Sequence, residues 1–193
     1  MQRELFFSIL SFCFALWYVG DYWKGIVRWQ IIPHPFTFFL WVVVLGITAR
    51  ELIRADELIG SASVLLFIVS NFGCLIVWLY NYKKIQINWM DWFFLCAWIF
   101  LVIFWRFEPT YAYVLLVMIA IDATAYASSF KKTWMQPFTE KSLPYFISVG
   151  SNLTTILAIS VWNFENLGMW IWTSSINLIF ACFILARQYS MKK

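Results

Sequence analysis

Charged residues are sparse in this chain, and they divide it into apolar segments. Only 12% of the 193 residues are charged and 63% are hydrophobic, whereas a soluble domain is typically about 25% charged and about 45–50% apolar. The apolar runs between the charges predict seven helices, at residues 5–20, 35–48, 58–80, 89–105, 109–130, 142–161 and 168–186. A helix needs about 20 apolar residues to cross a bilayer, and about 17 is the lower limit. The sequence therefore predicts an all-helical integral membrane protein with seven spans, in which the three short segments (the first, second and fourth) use flanking Trp, Tyr, Lys or Arg at the interface.

The same composition excludes several classes of function. The net charge of +4 is modest, and the basic residues lie between apolar segments and form no patch, which excludes nucleic-acid binding. None of the four cysteines has metal-ligand spacing, so we expect no disulfide framework, no metal and no cofactor. No HExxH, Gly-rich phosphate loop or nucleophile elbow occurs, so we do not expect an enzyme. The first segment has no small-residue cleavage site before Asp21, and we expect it to stay as an anchor.

The distribution of Lys and Arg predicts the orientation of the spans. Ten of these residues lie on one side of the predicted membrane and four on the other. The ten are Lys24, Arg28, Lys83, Lys84, Lys131, Lys132, Lys141, Arg187, Lys192 and Lys193. The four are Arg3, Arg50, Arg54 and Arg106. The positive-inside rule then places the carboxyl terminus in the cytosol and the amino terminus outside, and the alternative is chance clustering.

Polar and small residues recur at helical spacing in most segments. They form one stripe on each of four segments: Ser8, Ser11, Ala15 and Tyr18; Asp122, Tyr126 and Ser129; Tyr145, Ser148, Asn152 and Thr155; Trp170, Ser174 and Asn177. Such stripes face other helices or a water-filled cavity, because hydrocarbon offers polar groups no partner. The fourth segment has nothing more polar than Cys96 between its tryptophans, which indicates a lipid-facing linker.

This contrast favours two three-helix repeats in parallel orientation, joined by a linker span. Asn71 and Asn177 both lie mid-span and are 106 residues apart, and Lys24 and Lys132 begin corresponding loops 108 residues apart. A diverged duplication leaves offsets of this kind. We therefore predict one transmembrane domain, residues 1–193, composed of a first repeat (1–82), a linker helix (83–107) and a second repeat (108–193).

Two stretches around the predicted loops resemble a known family. Residues 126–140 (YASSFKKTWMQPFTE) look like the motif of the PQ-loop proteins, and residues 17–25 (WYVGDYWKG) with 33–35 (PHP) look like the same element in the first half. The order of three, one and three helices and the paired asparagines are similar to those of the SWEET sugar uniporters and their bacterial relatives. The Pro-Gln dipeptide of that family is missing; Ala125-Tyr126 and Trp17-Tyr18 stand in its place. The resemblance implies a transporter in the bacterial cytoplasmic membrane that moves a sugar or vitamin-like nucleoside by facilitated diffusion.

Asp122 is the only ionisable residue deep inside a predicted span, and such a carboxyl is a candidate functional group. If it changes protonation as the cavity opens to each side in turn, it couples proton movement to solute movement. The alternative is a carboxyl that only hydrogen-bonds a neighbouring helix. Asn71 and Asn177 resemble the asparagines that face the substrate in SWEET transporters, and their alternative role is interhelical hydrogen bonding.

Three further side chains complete the predicted solute site. Asn152 lies on the stripe of the sixth segment, Trp41 offers a ring face to a sugar or base, and Tyr126 shares a helix face with Asp122. Packing is the competing explanation for Trp41, and His34 between two prolines is either a junction residue or part of a gate.

These observations predict a membrane transporter that moves a small polar solute by alternating access, with its site between the two repeats. The expected partners are the solute and the lipid bilayer, and a homo-oligomer stays open. Two other functions stay open: a proton-coupled PQ-loop-type transporter or receptor for another solute, and a non-transporting membrane accessory subunit.

Overall fold

The computed structural model describes residues 2–54, 58–81, 111–162 and 164–192, together with eight single residues at 89, 92, 93, 95, 96, 99, 100 and 103. The described residues form α-helices and one 3-10 turn at Pro137–Thr139. The helices are α1 (Gln2–Val27), α2 (Pro35–Arg54), α3 (Leu58–Asn81), α4 (Tyr111–Met135), α5 (Leu143–Ala158) and α6 (Phe164–Ser190). The prediction of an all-helical chain is confirmed for these residues. The eight single residues are helical too, and the rest of the predicted linker span lies outside the described residues.

Several helices extend past the charged residues at which the sequence pattern predicted their ends. Helix α1 continues from Gly20 to Val27, and α4 continues from Phe130 to Met135. Lys24 and Lys132 lie in the last turns of these two helices. A cation there interacts favourably with the partial negative charge of the helix carboxyl terminus, so the lysines belong to the helix and not to the loop.

Proline and one left-handed residue set the boundaries at the turns. Helix α2 begins at Pro35 and α5 has Pro144 in its first turn, where proline loses no helical hydrogen bond. Helix α1 ends in a turn in which the Ile31 N–H donates to the Gly25 carbonyl at 3.1 Å. Trp29 adopts a φ of 58° within that turn, a left-handed conformation that bulky residues rarely adopt.

Contacts between side chains give the relative directions of the helices in each half. In the second half, Asp122 contacts Trp172 and, further along both helices, Phe130 contacts Phe183, so α4 and α6 run parallel. In the first half, Tyr18 contacts Phe67 and Trp23 contacts Ser70 in the same sense, so α1 and α3 run parallel.

Contacts between the halves show that the two halves run in the same direction. Ser11 contacts Ser151 and Arg3 contacts Leu157, so α1 runs opposite to α5. Helix α5 follows α4 after a short turn and runs back along the bundle, which makes α1 and α4 parallel. Helix α3 therefore ends at one end of the bundle and α4 begins at the other. We name the end that carries Lys24, Lys132 and Arg187 the basic end, and the end that carries Arg3 the amino-terminal end.

The packing follows one pattern in both halves. Helix α3 packs against α1 and α2, and α6 packs against α4 and α5 in the same way. Between the halves, α1 packs on α5 and α2 packs on α4. Exchanging α1, α2 and α3 for α4, α5 and α6 leaves this set of contacts unchanged, which is the pattern that an internal two-fold relation produces.

Apolar side chains cover much of the outside of the bundle, and polar side chains lie inside it. Large exposed side chains on the helices include Phe6, Val69, Phe72, Ile171 and Ile179. The buried set includes sixteen polar or charged residues. Two helical stretches, Gln2–Val27 and Leu167–Ser190, are long and apolar enough to cross a membrane, and shorter apolar helices occur at Pro35–Arg50, Val64–Tyr80 and Leu143–Ala158.

Candidate functional site

The carboxyl of Asp122 lies at the middle of α4, between the two halves of the bundle. Asp122 is only 3% exposed. Its Oδ2 accepts a hydrogen bond of 2.8 Å from the indole Nε1 of Trp172 on α6. Trp41 on α2 lies nearby, with its ring against Tyr126, one turn along α4 from Asp122. No Lys or Arg among the described residues forms an ion pair with the Asp122 carboxyl. An indole N–H from α6 therefore holds this carboxyl.

Tyr126 lies one turn along α4 from Asp122 and bonds to an amide on α6. Its hydroxyl donates a hydrogen bond of 2.7 Å to Oδ1 of Asn177. Its ring contacts Trp41 edge-on, with 5.2 Å between the ring centroids. Four of the six predicted site residues thus lie together: Trp41 and Asn177 contact Tyr126, and Asp122 lies one turn along α4.

The first half contains an arrangement that matches the second. The Asn71 Nδ2 donates to the Phe67 carbonyl one turn earlier at 2.7 Å. The equivalent bond of Asn177 runs from its Nδ2 to the Thr173 carbonyl at 2.8 Å. Tyr18 packs on Phe67, which is on the same helical face as Asn71. Both Asn side chains are therefore held by the same local bond, to the carbonyl one turn earlier in their helix.

Asn71 and Asn177 do not bond to each other. The Asn71 amide bonds to the Phe67 carbonyl, whereas the Asn177 amide bonds to the Thr173 carbonyl and accepts from Tyr126. The two asparagines therefore share the same local bond, without direct contact between the amides.

Asn152 lies on α5, level with the carboxyl of Asp122. Tyr145 packs on Phe180 with 4.7 Å between ring centroids. Because α5 runs opposite to α6, seven residues further along α5 bring Asn152 to about the level of Thr173 and its neighbour Ser174. The Asn152 Nδ2 and the Ser174 Oγ are buried and have no hydrogen-bond partner among the described residues. Buried polar groups normally have hydrogen-bond partners. These two atoms therefore indicate a polar site in the interior of the bundle.

Hydroxyl groups join the two halves at the amino-terminal side of this cluster. The Ser11 Oγ lies 2.7 Å from the Thr155 Oγ1 and also donates to the Ser151 carbonyl at 3.1 Å. The Ser151 Oγ donates in return to the Ser11 carbonyl at 3.1 Å. Nearer the end of the bundle, the Arg3 guanidinium donates to the Leu157 carbonyl at 3.2 Å. These bonds hold α1 against α5.

A buried ion pair joins the two halves at the basic end. The Lys132 ammonium bonds to the Glu140 carboxylate and also donates to the Ile32 carbonyl at 2.6 Å. The Tyr145 hydroxyl donates to the other oxygen of Glu140 at 3.3 Å. Burial raises the pKa of the Glu140 carboxyl, and the Lys132 charge acts in the opposite direction. We call Lys132, Glu140, Tyr145 and the Ile32 carbonyl the basic-end latch.

Two further contacts strengthen the connection between the halves at this end. The Ile32 N–H donates to the Thr139 carbonyl at 3.2 Å. The Thr37 Oγ1 on α2 donates to the Ala125 carbonyl at 2.9 Å and lies 3.1 Å from the Ser129 Oγ. His34 is buried in the same loop, beside Phe36. Direct bonds therefore connect the halves at both ends of the bundle.

The sequence pattern did not single out several of these groups. Trp172 was one of thirteen tryptophans, and no signal marked the one that binds Asp122. Lys132 and Glu140 are eight residues apart across a turn, and their sequence separation alone does not predict an ion pair. The Pro137–Thr139 turn between them is the signal that brings them together.

Comparison with known proteins yields no matching family model, no matching curated protein and no matching solved structure. Among the residues that the structure describes, no group of three or more His, Cys, Asp or Glu side chains could hold a metal ion.

Proposed function

We propose that this chain is a membrane protein of two parallel three-helix units joined by a spanning linker, and that it moves a small polar solute across the bilayer by alternating access. The large apolar side chains on the outside of the bundle support the membrane location, because monomeric soluble proteins rarely expose extensive apolar surface. Carboxyl, amide and hydroxyl groups inside and apolar residues outside suit a lipid environment. The seven-span topology, with the amino terminus outside, is part of this proposal.

The single observation that carries the transport proposal is the line of polar groups between the two units. It runs from the Ser11 and Thr155 hydroxyls at one end, through Asp122 and the Tyr126–Asn177 bond, to the Lys132–Glu140 pair at the other. Transporters with internal repeats place their solute site near the bilayer midplane, between the repeats. Bonds between the units at both ends describe a closed conformation, and rocking one unit against the other breaks the bonds at one end at a time.

A solute with several hydrogen-bonding groups and a flat apolar face fits this cluster best. The amides of Asn71 and Asn177 donate to and accept from hydroxyl groups, and the rings of Trp41 and Tyr126 cover apolar surface. The resemblance to SWEET and PQ-loop proteins adds the specific choice of a sugar or a vitamin-like nucleoside. Proton coupling through Asp122 is the second candidate, because this buried carboxyl has no basic partner among the described residues.

Reporter fusions test the topology. Fusions after Lys84 and after Lys193 should report a cytosolic location, and a fusion after Arg106 should report the opposite side. If the first two fusions report opposite sides, the linker does not return the chain across the membrane, and the two units are not parallel.

Uptake into proteoliposomes tests transport. The wild-type protein should take up a labelled sugar or nucleoside faster than protein-free liposomes, and Asn177→Ala should slow uptake by about tenfold, because the Tyr126 hydroxyl loses its acceptor. The exposed Ser175, two positions away on α6, provides a matched control in Ser175→Ala. If no solute in a panel of sugars, nucleosides and amino acids crosses, the accessory-subunit alternative replaces the transporter.

A further inference from the structure

We propose that the solute carries a positive charge, as a protonated amine, and that Asp122 binds this amine directly. This inference rests on the proposed transport function and names its substrate class. It follows from three features of the structure: the hydrogen bond that Asp122 receives, the position of the nearest buried cation, and the aromatic rings around the carboxyl.

The hydrogen bonding around Asp122 favours a carboxylate. Trp172 donates its indole N–H to Oδ2 at 2.8 Å, and an indole nitrogen can only donate. A protonated carboxyl can also accept this bond, but its own O–H then needs an acceptor, and its hydrogen-bond partner among the described residues provides none. The anion leaves no donor of the carboxyl without a partner.

A buried anion needs a compensating charge, and the described part of this bundle does not supply one near Asp122. A charge in a low-dielectric interior is costly unless it is paired. Lys132 is the buried cation on the same helix, but ten residues of helix separate the two positions by about 15 Å. The Lys132 ammonium is also already bound to Glu140 and the Ile32 carbonyl. The compensating charge therefore comes with the solute.

The rings around the carboxyl suit an organic cation better than a bare inorganic ion. Trp172 contacts Asp122, and Tyr126 lies one turn along α4 from it. The rings that contact Tyr126 or continue from it are those of Trp41, Phe180 and Phe38. Aromatic faces attract organic ammonium groups and cover their carbon atoms. A protonated amine also forms a short charge-assisted hydrogen bond to a carboxylate, which a quaternary ammonium cannot do. The Asn177 amide, one turn away, is placed to bind a hydroxyl or carbonyl group of the same solute.

Competition between matched probes tests the inference. Glucosamine and glucose differ by one amine in place of a hydroxyl, and ethanolamine and ethylene glycol form a smaller pair with the same difference. Uptake of each labelled probe into proteoliposomes should be measured at about pH 6, where both amines are protonated, for wild type and for Asp122→Asn. Asp21→Asn on α1 is the control, because it also removes an acidic side chain.

We expect wild type to take up the amine of at least one pair about tenfold or more faster than its neutral counterpart. Asp122→Asn should remove that preference, and Asp21→Asn should keep it. An equal or greater wild-type uptake of the neutral member in both pairs overturns the inference and leaves the transport function intact. Uptake of a neutral probe that is driven by a pH gradient and lost in Asp122→Asn also overturns it, because Asp122 then carries a proton. If neither protein takes up any of these four probes, the inference fails, and the panel of sugars, nucleosides and amino acids then decides whether the transport function fails with it.

Discussion

Separating the partners of the basic-end latch should destabilise the protein strongly. The Lys132 and Glu140 side chains are 8% and 2% exposed, so each charge is almost completely removed from solvent. Removing one member of a buried ion pair costs about 3–5 kcal/mol, because the other charge is left without compensation. The loss of stability in Glu140→Gln should lie near the lower end of this range, since Lys132 keeps its bond to the Ile32 carbonyl. Lys132→Met should fall near the upper limit, since Glu140 keeps only a long bond from Tyr145.

The double variant distinguishes an ion pair from two independent contacts. Replacing both members removes both buried charges. The double variant Lys132→Met, Glu140→Gln should therefore lose far less free energy of unfolding than the sum of the two single variants. For a chain of this size, about 1 kcal/mol corresponds to about 2–4 °C in Tm. The single variants should therefore unfold about 6–20 °C below wild type in detergent, as measured by a fluorescence thermal-shift assay. Lys131→Met, which removes the neighbouring charge, is the control.

Two results would refute this reasoning. One is a shift of less than about 2 °C in both single variants, which would mean that the pair is solvated. The other is a double variant as unstable as the sum of the singles, which would mean that Lys132 and Glu140 act independently.

Three further predictions concern the pH dependence of the latch and the packing of α3 on α1. Lys132→Met removes the charge that opposes the effect of burial, so the pKa of Glu140 rises further above its unfolded value. The folded state then binds more protons than the unfolded state, and thermal stability should fall as the pH rises from about 5 to 8. Adding Glu140→Gln should remove this pH dependence. Gly73→Ala should destabilise the protein by about 1–3 kcal/mol, because the new Cβ would lie 2.5 Å from the Cζ2 of Trp23, whereas Gly46→Ala, with no atom within 4 Å, should be neutral or slightly stabilising. Trp23→Phe should suppress part of the Gly73→Ala defect, because the smaller ring lacks the overlapping atoms, and strictly additive Tm shifts would contradict this explanation.

The hydrophobic pattern and the charges between segments determined which parts of the chain become helices. Six of the seven predicted segments correspond to described α-helices, and the predicted stripes place Ser11, Asp122, Tyr126, Asn152 and Asn177 in the interior. This information is local: a polar residue every three or four positions defines one face of a helix, whatever that face contacts. The ends of the helices were less well predicted, because Lys24 and Lys132 look like loop residues in a hydropathy pattern.

Only the tertiary structure decided which of these faces meet and which side chains bind each other. The indole that holds Asp122 comes from Trp172, fifty residues away, and thirteen tryptophans gave the sequence no basis for choosing it. Asn71 and Asn177 were both predicted to face the solute, and the structure gives them matching local bonds but places only Asn177 in direct contact with Tyr126, one turn from Asp122. The physical reason is that the spacing of polar residues along one helix fixes only the direction in which each side chain points around the axis of that helix. The packing of α1 on α5 and of α2 on α4 fixes the height and rotation of each helix relative to its neighbours, and those set every distance between the halves.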